Sequence, residues 1–142
     1  MALDVAGKLG RMTAAQIPLH LIDLLERPVC GVLATVSPGS TAQASPMWFE
    51  LIGDTICFTH TNKRAKYRNL QHNPSMALAV YDPENPYRYV EVRGRLLEST
   101  PDPTGGFYQR LSRRYGTPNP PAPADAEDRV VLVMPIEKVI GG

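Results

Sequence analysis

Few of the usual signs of a self-contained catalytic apparatus are present in this chain. Cysteine is scarce: Cys30 and Cys57 are the only two, in the apolar runs Pro-Val-Cys-Gly-Val-Leu and Thr-Ile-Cys-Phe-Thr. Neither has a cysteine neighbour, which excludes a zinc ribbon and a CxxC redox pair. Both read as small buried side chains. The three histidines, His20, His60 and His72, lack the spacing of metal ligands. There is no GxSxG elbow, no Walker loop, no Rossmann glycine fingerprint and no close carboxylate pair. A large charge of one sign is also missing. The formal net charge is +1, which argues against nucleic acid as a partner. No run approaches the roughly 18 apolar residues of a membrane span. The apolar residues near the N-terminus are broken by Asp4, Lys8 and Arg11, unlike a signal peptide. The expected setting is the cytoplasm, without a membrane partner. A chain with so little side-chain chemistry of its own suits a protein whose cofactor does the chemistry.

The 142 residues, 43% hydrophobic and 20% charged, fit one soluble globular domain spanning residues 1–142. An N-terminal helical segment is expected over 1–27. Thr13 is its candidate N-cap, and Pro18 to Glu26 its firm part, before Pro28 stops it. Six strands are expected: Gly31 to Ser37, Ala42 to Leu51, Thr55 to Thr61, Met76 to Tyr81, Tyr89 to Leu97 and Arg129 to Met134. The first three, joined by the turns Pro38-Gly39-Ser40 and Gly53-Asp54, read as an antiparallel meander. Helix-permissive stretches cover Asn62 to His72 and Phe107 to Tyr115. Asp82 to Pro86 reads as a loop, and residues 116–127 as a Pro-rich loop without regular structure. The expected fold is mainly β with short helices, its sheet edges hidden by barrel closure.

Three segments could carry chemistry. In Thr59-His-Thr-Asn-Lys-Arg-Ala-Lys-Tyr-Arg-Asn69, two strand-end threonines precede Lys63, Arg64, Lys66 and Arg68. Helix N-terminal amides and cationic side chains together favour a phosphate. A solvated basic helix face fits the same composition equally well. In Gln43-Ala-Ser-Pro-Met-Trp-Phe49, Pro46 within a strand implies an edge or bulge where a planar ring could meet the backbone. Core packing of Trp48 and Phe49 is the plainer reading. In Tyr81-Asp-Pro-Glu-Asn-Pro-Tyr-Arg-Tyr89, turn residues alternate with aromatics. That pattern suits a pocket wall, a dimer seam or an ordinary loop.

Taken in order, these pieces resemble a known family. Phe58 to Pro74, Ala77 to Tyr81 and Tyr89-Val-Glu-Val-Arg-Gly-Arg95 resemble the pyridoxamine-phosphate-oxidase-like split β-barrel superfamily. Asp82-Pro with Asn85-Pro-Tyr-Arg-Tyr-Val-Glu-Val-Arg-Gly94 is similar to its actinobacterial branch that uses the deazaflavin coenzyme F-420. Gly31-Val-Leu-Ala-Thr-Val and Arg129-Val-Val-Leu-Val-Met-Pro-Ile-Glu-Lys-Val fit as well. The resemblance runs from about Arg27 to Ile140. It implies a six-stranded antiparallel split β-barrel and a homodimer with cofactor at the subunit interface. It implies an oxidoreductase moving hydride between F-420 and a small unsaturated organic substrate. Lys66 and Arg64 would meet the cofactor phosphate, with Thr59, Thr61 and Asn69 nearby. Ser45, Pro46, Met47 and Trp48 would line the ring. Ala79, Val80, Tyr81, Arg88 and Tyr89 would contribute from the partner subunit, and Lys63 or Arg68 would face the polyglutamate tail. FMN is the alternative cofactor, because basic residues near position 64 suit either phosphate. A non-catalytic cofactor carrier is the further alternative. No residue is assigned as proton donor; Tyr87, Tyr108 and Tyr115 are candidates beside solvent.

Overall fold

The computed structural model describes residues 16–142. The expected cap Thr13 lies outside the described residues. Pro18 to Leu21 form a turn closed by Leu21 N–H to Pro18 O at 2.9 Å, and helix α1 is shorter than expected, Ile22–Glu26. Nine strands follow, arranged with two further helices as two antiparallel sheets. The strands are β1 (Gly31–Val36), β2 (Ala42–Met47), β3 (Glu50–Ile52), β4 (Thr55–Thr61), β5 (Ser75–Asp82), β6 (Asn85–Arg95), β7 (Glu98–Pro101), β8 (Arg129–Pro135) and β9 (Lys138–Gly141). Helix α2 is Ala65–His72 and helix α3 is Gly106–Arg114. One sheet has the order β2-β1-β5-β6-β9 and the other β3-β4-β8-β7.

All six expected strands are present, but the expected second strand is two. The chain leaves the first sheet after Met47 and enters the second at Glu50. β2 pairs with β1, while β3 pairs with β4, so the first three expected strands are not one meander. Phe49 is fully buried in the core, whereas Trp48 is only half-buried. The expected loop Asp82 to Pro86 is a tight hairpin turn, with strand pairing continuing to Asp82↔Asn85. Asp82 Oδ1 accepts the Glu84 N–H at 2.9 Å, an Asx turn that closes it. The short strands β7 and β9 carry too little apolar alternation to stand out in the sequence. Each is paired along one side, to β8 and β6 respectively.

The main core lies between the sheets and is built from Leu33, Phe58, Leu78, Val90, Val92 and Leu132, among others, closed at one end by Leu24 and Leu25 of α1. A second, smaller cluster joins Cys57, Val131 and Val133 to Phe107 and Leu111 of α3. β4 is therefore buried on both faces along its whole length. Closure of the barrel requires Gly94: a Cβ there would stand 2.3 Å from Pro135 O. Of the two cysteines expected to be buried, Cys57 is; Cys30, just before β1, is exposed. Burial pushes the Cys57 thiol up to about 11, which leaves it inert.

Candidate functional site

Gln43 and Ser45 are two residues apart on β2 and so face the same side of the sheet. Opposite them stands the first turn of α2, which follows β4 after Thr61. Lys66, on that turn, lies across them. Its Nζ donates to Gln43 Oε1 at 2.9 Å and to Ser45 Oγ. Asn69, one turn further on, donates to Thr35 Oγ1 at 3.1 Å, and Thr35 reaches back to Gln43 Oε1 at 3.4 Å. The chain Asn69–Thr35–Gln43–Lys66–Ser45 thus fixes the ammonium on neutral groups.

Lys66 is 4% exposed and, among the described residues, pairs with no carboxylate. Burial lowers its pKa. A buried cation without a counter-ion is costly. The cost makes sense if an anion completes the site. The neighbouring features agree. Arg64 stands at the N-cap of α2, also without an acidic partner among the described residues, and no side chain caps that first turn. Exposed amides of a helix N-terminus attract anions. Thr59 Oγ1 and His60 Nε2 are buried with no hydrogen-bond partner. His60, 7% exposed, is held down to about 4 by burial first, then by Arg64, Lys66 and Arg129, and is neutral at pH 7.

Two cavities open here, sharing Pro46, Met47, His60 and Arg64. The near one, about 350 Å³, adds Gln43, Ser45, Ala65 and Lys66. The far one, about 240 Å³, adds Cys30, Trp48, Thr59, Tyr108 and Arg129. Arg129 is paired bidentately with Asp125 at 2.9 and 3.3 Å and lies over the Tyr108 ring. The combined trough is cationic at one end and aromatic at the other. It suits a ligand with a phosphate and a planar ring. A larger cavity, about 510 Å³, lies between the start of α1 and the β3–β4 turn, lined by Gln16, Ile17, Leu51 and Asp54 among others. It contains no buried polar side chain.

The residues singled out from the sequence fall partly around the trough and partly away from it. Ser45, Pro46, Met47, Trp48, Thr59, Arg64 and Lys66 come together around the trough. Asn69 stands behind it, through Thr35, and Thr61 is buried at the end of β4. Lys63 is exposed, and its carbonyl accepts from Arg68 at 2.9 Å. Ala79, Tyr81 and Tyr89 lie elsewhere, on the outer face of the first sheet, where Val32 pairs with Ala79 and Tyr81 with Tyr89. The Val80 side chain points into the core. Arg88 is ion-paired with Asp23 at 2.5 Å and lies 3.9 Å from Asp82, away from the trough. Pro46 lies on an edge strand, as its missing N–H requires. Sequence reasoning missed His60, Gln43, Arg129 and Cys30. Gln43 and His60 sat within motifs already singled out; Arg129 had no local signal, since it reaches the site only through the β4–β8 pairing at Thr61↔Arg129.

The fold is that of an antiparallel split β-barrel. Residues 20–141 match the family model described as pyridoxamine 5'-phosphate oxidase, and the chain belongs to that family. Among solved structures, it is similar to an F-420 reductase from Mycobacterium smegmatis, with 49% identity and a TM-score of 0.84 over 87% of this chain and 98% of that one. It also shares its fold with HupZ of Group A Streptococcus, at 16% identity and a TM-score of 0.65 over 89% of this chain and 94% of that one. General Stress Protein 26 of Bacillus anthracis shares it too, at 15% identity and a TM-score of 0.66, over 85% and 89%. Comparison with curated proteins gives no match. Among the described residues no helix is long and apolar enough to cross a membrane.

Proposed function

We propose that this protein is an F-420-dependent oxidoreductase acting on small unsaturated organic substrates. The observation that carries the reading is the buried Lys66 ammonium, held by Gln43 and Ser45 with no acidic partner among the described residues. It fits a phosphate, with Arg64 and the first turn of α2 beside it. The 49% identity to a protein named an F-420 reductase favours the deazaflavin over FMN. Hydride donation and acceptance at the ring is the chemistry such a cofactor supplies when bound. The chain's part is to anchor the phosphate at Lys66, to shield the ring with Met47 and Trp48, and to keep acidic side chains out of the trough lining.

Of the three tyrosines weighed as proton donors, Tyr87 is 90% exposed and distant, and the Tyr115 hydroxyl is committed to backbone groups. Tyr108 alone lines the far cavity. With His60 neutral, the proton that completes a reduction comes from Tyr108 or from solvent.

The outer face carrying Val32, Ala79, Tyr81 and Tyr89 supports a second proposal, the homodimer. These are exposed apolar or aromatic side chains adjacent on one sheet. A second copy covering them would remove this apolar surface from water. Light scattering on the purified protein tests this directly; a monomer at micromolar concentration would count against it.

The cofactor reading is tested by absorbance and fluorescence titration with F-420 and with FMN, followed by turnover of enones and quinones with reduced F-420. Saturable F-420 binding with little FMN binding is expected. Tight FMN binding with no F-420 binding would sink the reading. F-420 binding without any turnover would favour a carrier.

A further inference from the structure

Tyr115, the residue following α3, does not line either cavity, yet it is bound to the site from two directions. Its ring stacks on Trp48, with centroids 5.2 Å apart and planes 12° from parallel. Its hydroxyl accepts the Phe49 N–H at 3.1 Å and shares its own proton between Val29 O at 3.0 Å and Phe49 O at 3.2 Å. Burial raises its pKa, so the hydroxyl keeps that proton. The contact falls at the residues where the chain crosses between sheets. Trp48 and Phe49 there lie outside both β2 and β3. A crossover without ladder hydrogen bonds takes its side-chain directions from tertiary contacts: Arg114 holds the Phe49 carbonyl at 3.0 Å, and Tyr115 alone both stacks on the Trp48 ring and bonds the peptide that follows it. Trp48 on this crossover is the aromatic wall of the far cavity, tilted against Tyr108 at 5.9 Å.

We propose that Tyr115 is a positioning residue: it sets the plane of Trp48 and pins the Phe49 backbone, so that the far cavity presents a preset aromatic wall to a planar ring. The backing ring removes Trp48 from free rotation, and the hydroxyl holds the backbone from which Trp48 projects. Packing of a ligand ring then requires no ordering of the indole at the moment of binding, which is how preorganisation raises affinity. That a planar ring binds there rests on the F-420 reading above; that Tyr115 holds Trp48 does not.

Trp48 is the sole tryptophan of the sequence, so fluorescence excited at the red edge, where the six tyrosines do not absorb, reports this side chain alone. The test compares acrylamide quenching and anisotropy of Trp48 in the parent protein, in Tyr115→Phe and in Tyr115→Leu, without ligand, and then the dissociation constant for F-420. Quenching is expected to rise from parent to Phe, which loses the pinning hydrogen bonds, and again to Leu, which loses the stack as well. F-420 affinity is expected to fall about two- to tenfold in the Leu variant, the scale of one aromatic pair. Parent-like quenching in a folded Leu variant overturns the proposal. So does a mobilised Trp48 with unchanged affinity. Should the Leu variant not fold, the Phe variant decides alone: increased quenching supports the pin, and parent-like quenching overturns it. If the parent binds no F-420, the cofactor reading falls, while the quenching series still decides what Tyr115 does.

Discussion

Lys66 Nζ lies 2.9 Å from Gln43 Oε1, a contact between the first turn of α2 and an edge strand 23 residues earlier. The amide is neutral and so leaves the ammonium's charge uncompensated. Two opposite consequences follow for one substitution. Lys66→Met is expected to weaken F-420 binding by about 1–3 kcal/mol, the scale of a charge-assisted hydrogen bond. The same change removes a buried unpaired charge and is expected to raise ligand-free stability by about 1 kcal/mol. Titration and urea unfolding on the same preparation measure both. A variant that loses both affinity and stability would mean that Lys66 is a structural prop.

His60 ties stability to pH. Its folded value, about 4, lies below the ordinary 6.5. A depressed value means that the unfolded chain takes up the proton first. The stabilisation is therefore complete above pH 6.5 and is lost as pH falls from there towards 4. The span is about 3 kcal/mol from the size of the shift. His60→Gln is expected to flatten the stability profile over that window. A bound phosphate would offset Arg64, Lys66 and Arg129, raise the folded value towards 6.5, and so narrow the window and shrink the span. Unfolding curves taken between pH 4 and 7, with and without ligand, give the comparison.

Arg114 joins three elements through carbonyls. Its guanidinium donates to Phe49 O at 3.0 Å, Glu26 O at 3.0 Å and Arg27 O at 2.9 Å, with Leu25 O at 3.4 Å. It thereby caps the C-terminus of α1 from α3, where a cation is favoured. Arg114→Ala is expected to cost about 2 kcal/mol or more, because several half-buried acceptors lose a charged donor together. Arg114→Lys should recover only part of this, since one ammonium cannot span the same acceptors. Thermal unfolding of the pair checks the order.

Gly94 is a packing requirement with no strained dihedral. A Cβ would lie 2.3 Å from Pro135 O and 2.8 Å from Met134 Cγ. Gly94→Ala is expected to destabilise by about 1–3 kcal/mol, the range for overpacking a filled core. A parent-like unfolding midpoint would mean that β6 and β8 can separate without loss.

Much of the frame was readable residue by residue. β8 is a continuous apolar run after Arg129, β6 alternates Val90 and Val92 with Glu91 and Arg93, and Gly53-Asp54 closes a hairpin; each signal is local, and each element forms near where it was expected, with β6 beginning four residues earlier, at Asn85. Pro46 marked its own strand as an edge. The basic stretch after Thr61 was legible as a charge run, with solvated face and phosphate site left equal. What favours the phosphate reading is the contact of Lys66 with Gln43 and Ser45, which no pattern in residues 59 to 74 mentions. Local sequence, then, determined six of the strand regions, the two helices after β4 and β7, and the candidate anion segment, because turn chemistry and side-chain alternation act over a few residues. Only the tertiary structure decided that Lys66 is buried without an acidic partner, that Arg129 and His60 join the trough, and that Tyr115 stands behind Trp48. Those outcomes depend on which strand lies beside which, and burial of a charge or stacking of two rings is a property of neighbours brought from far along the chain.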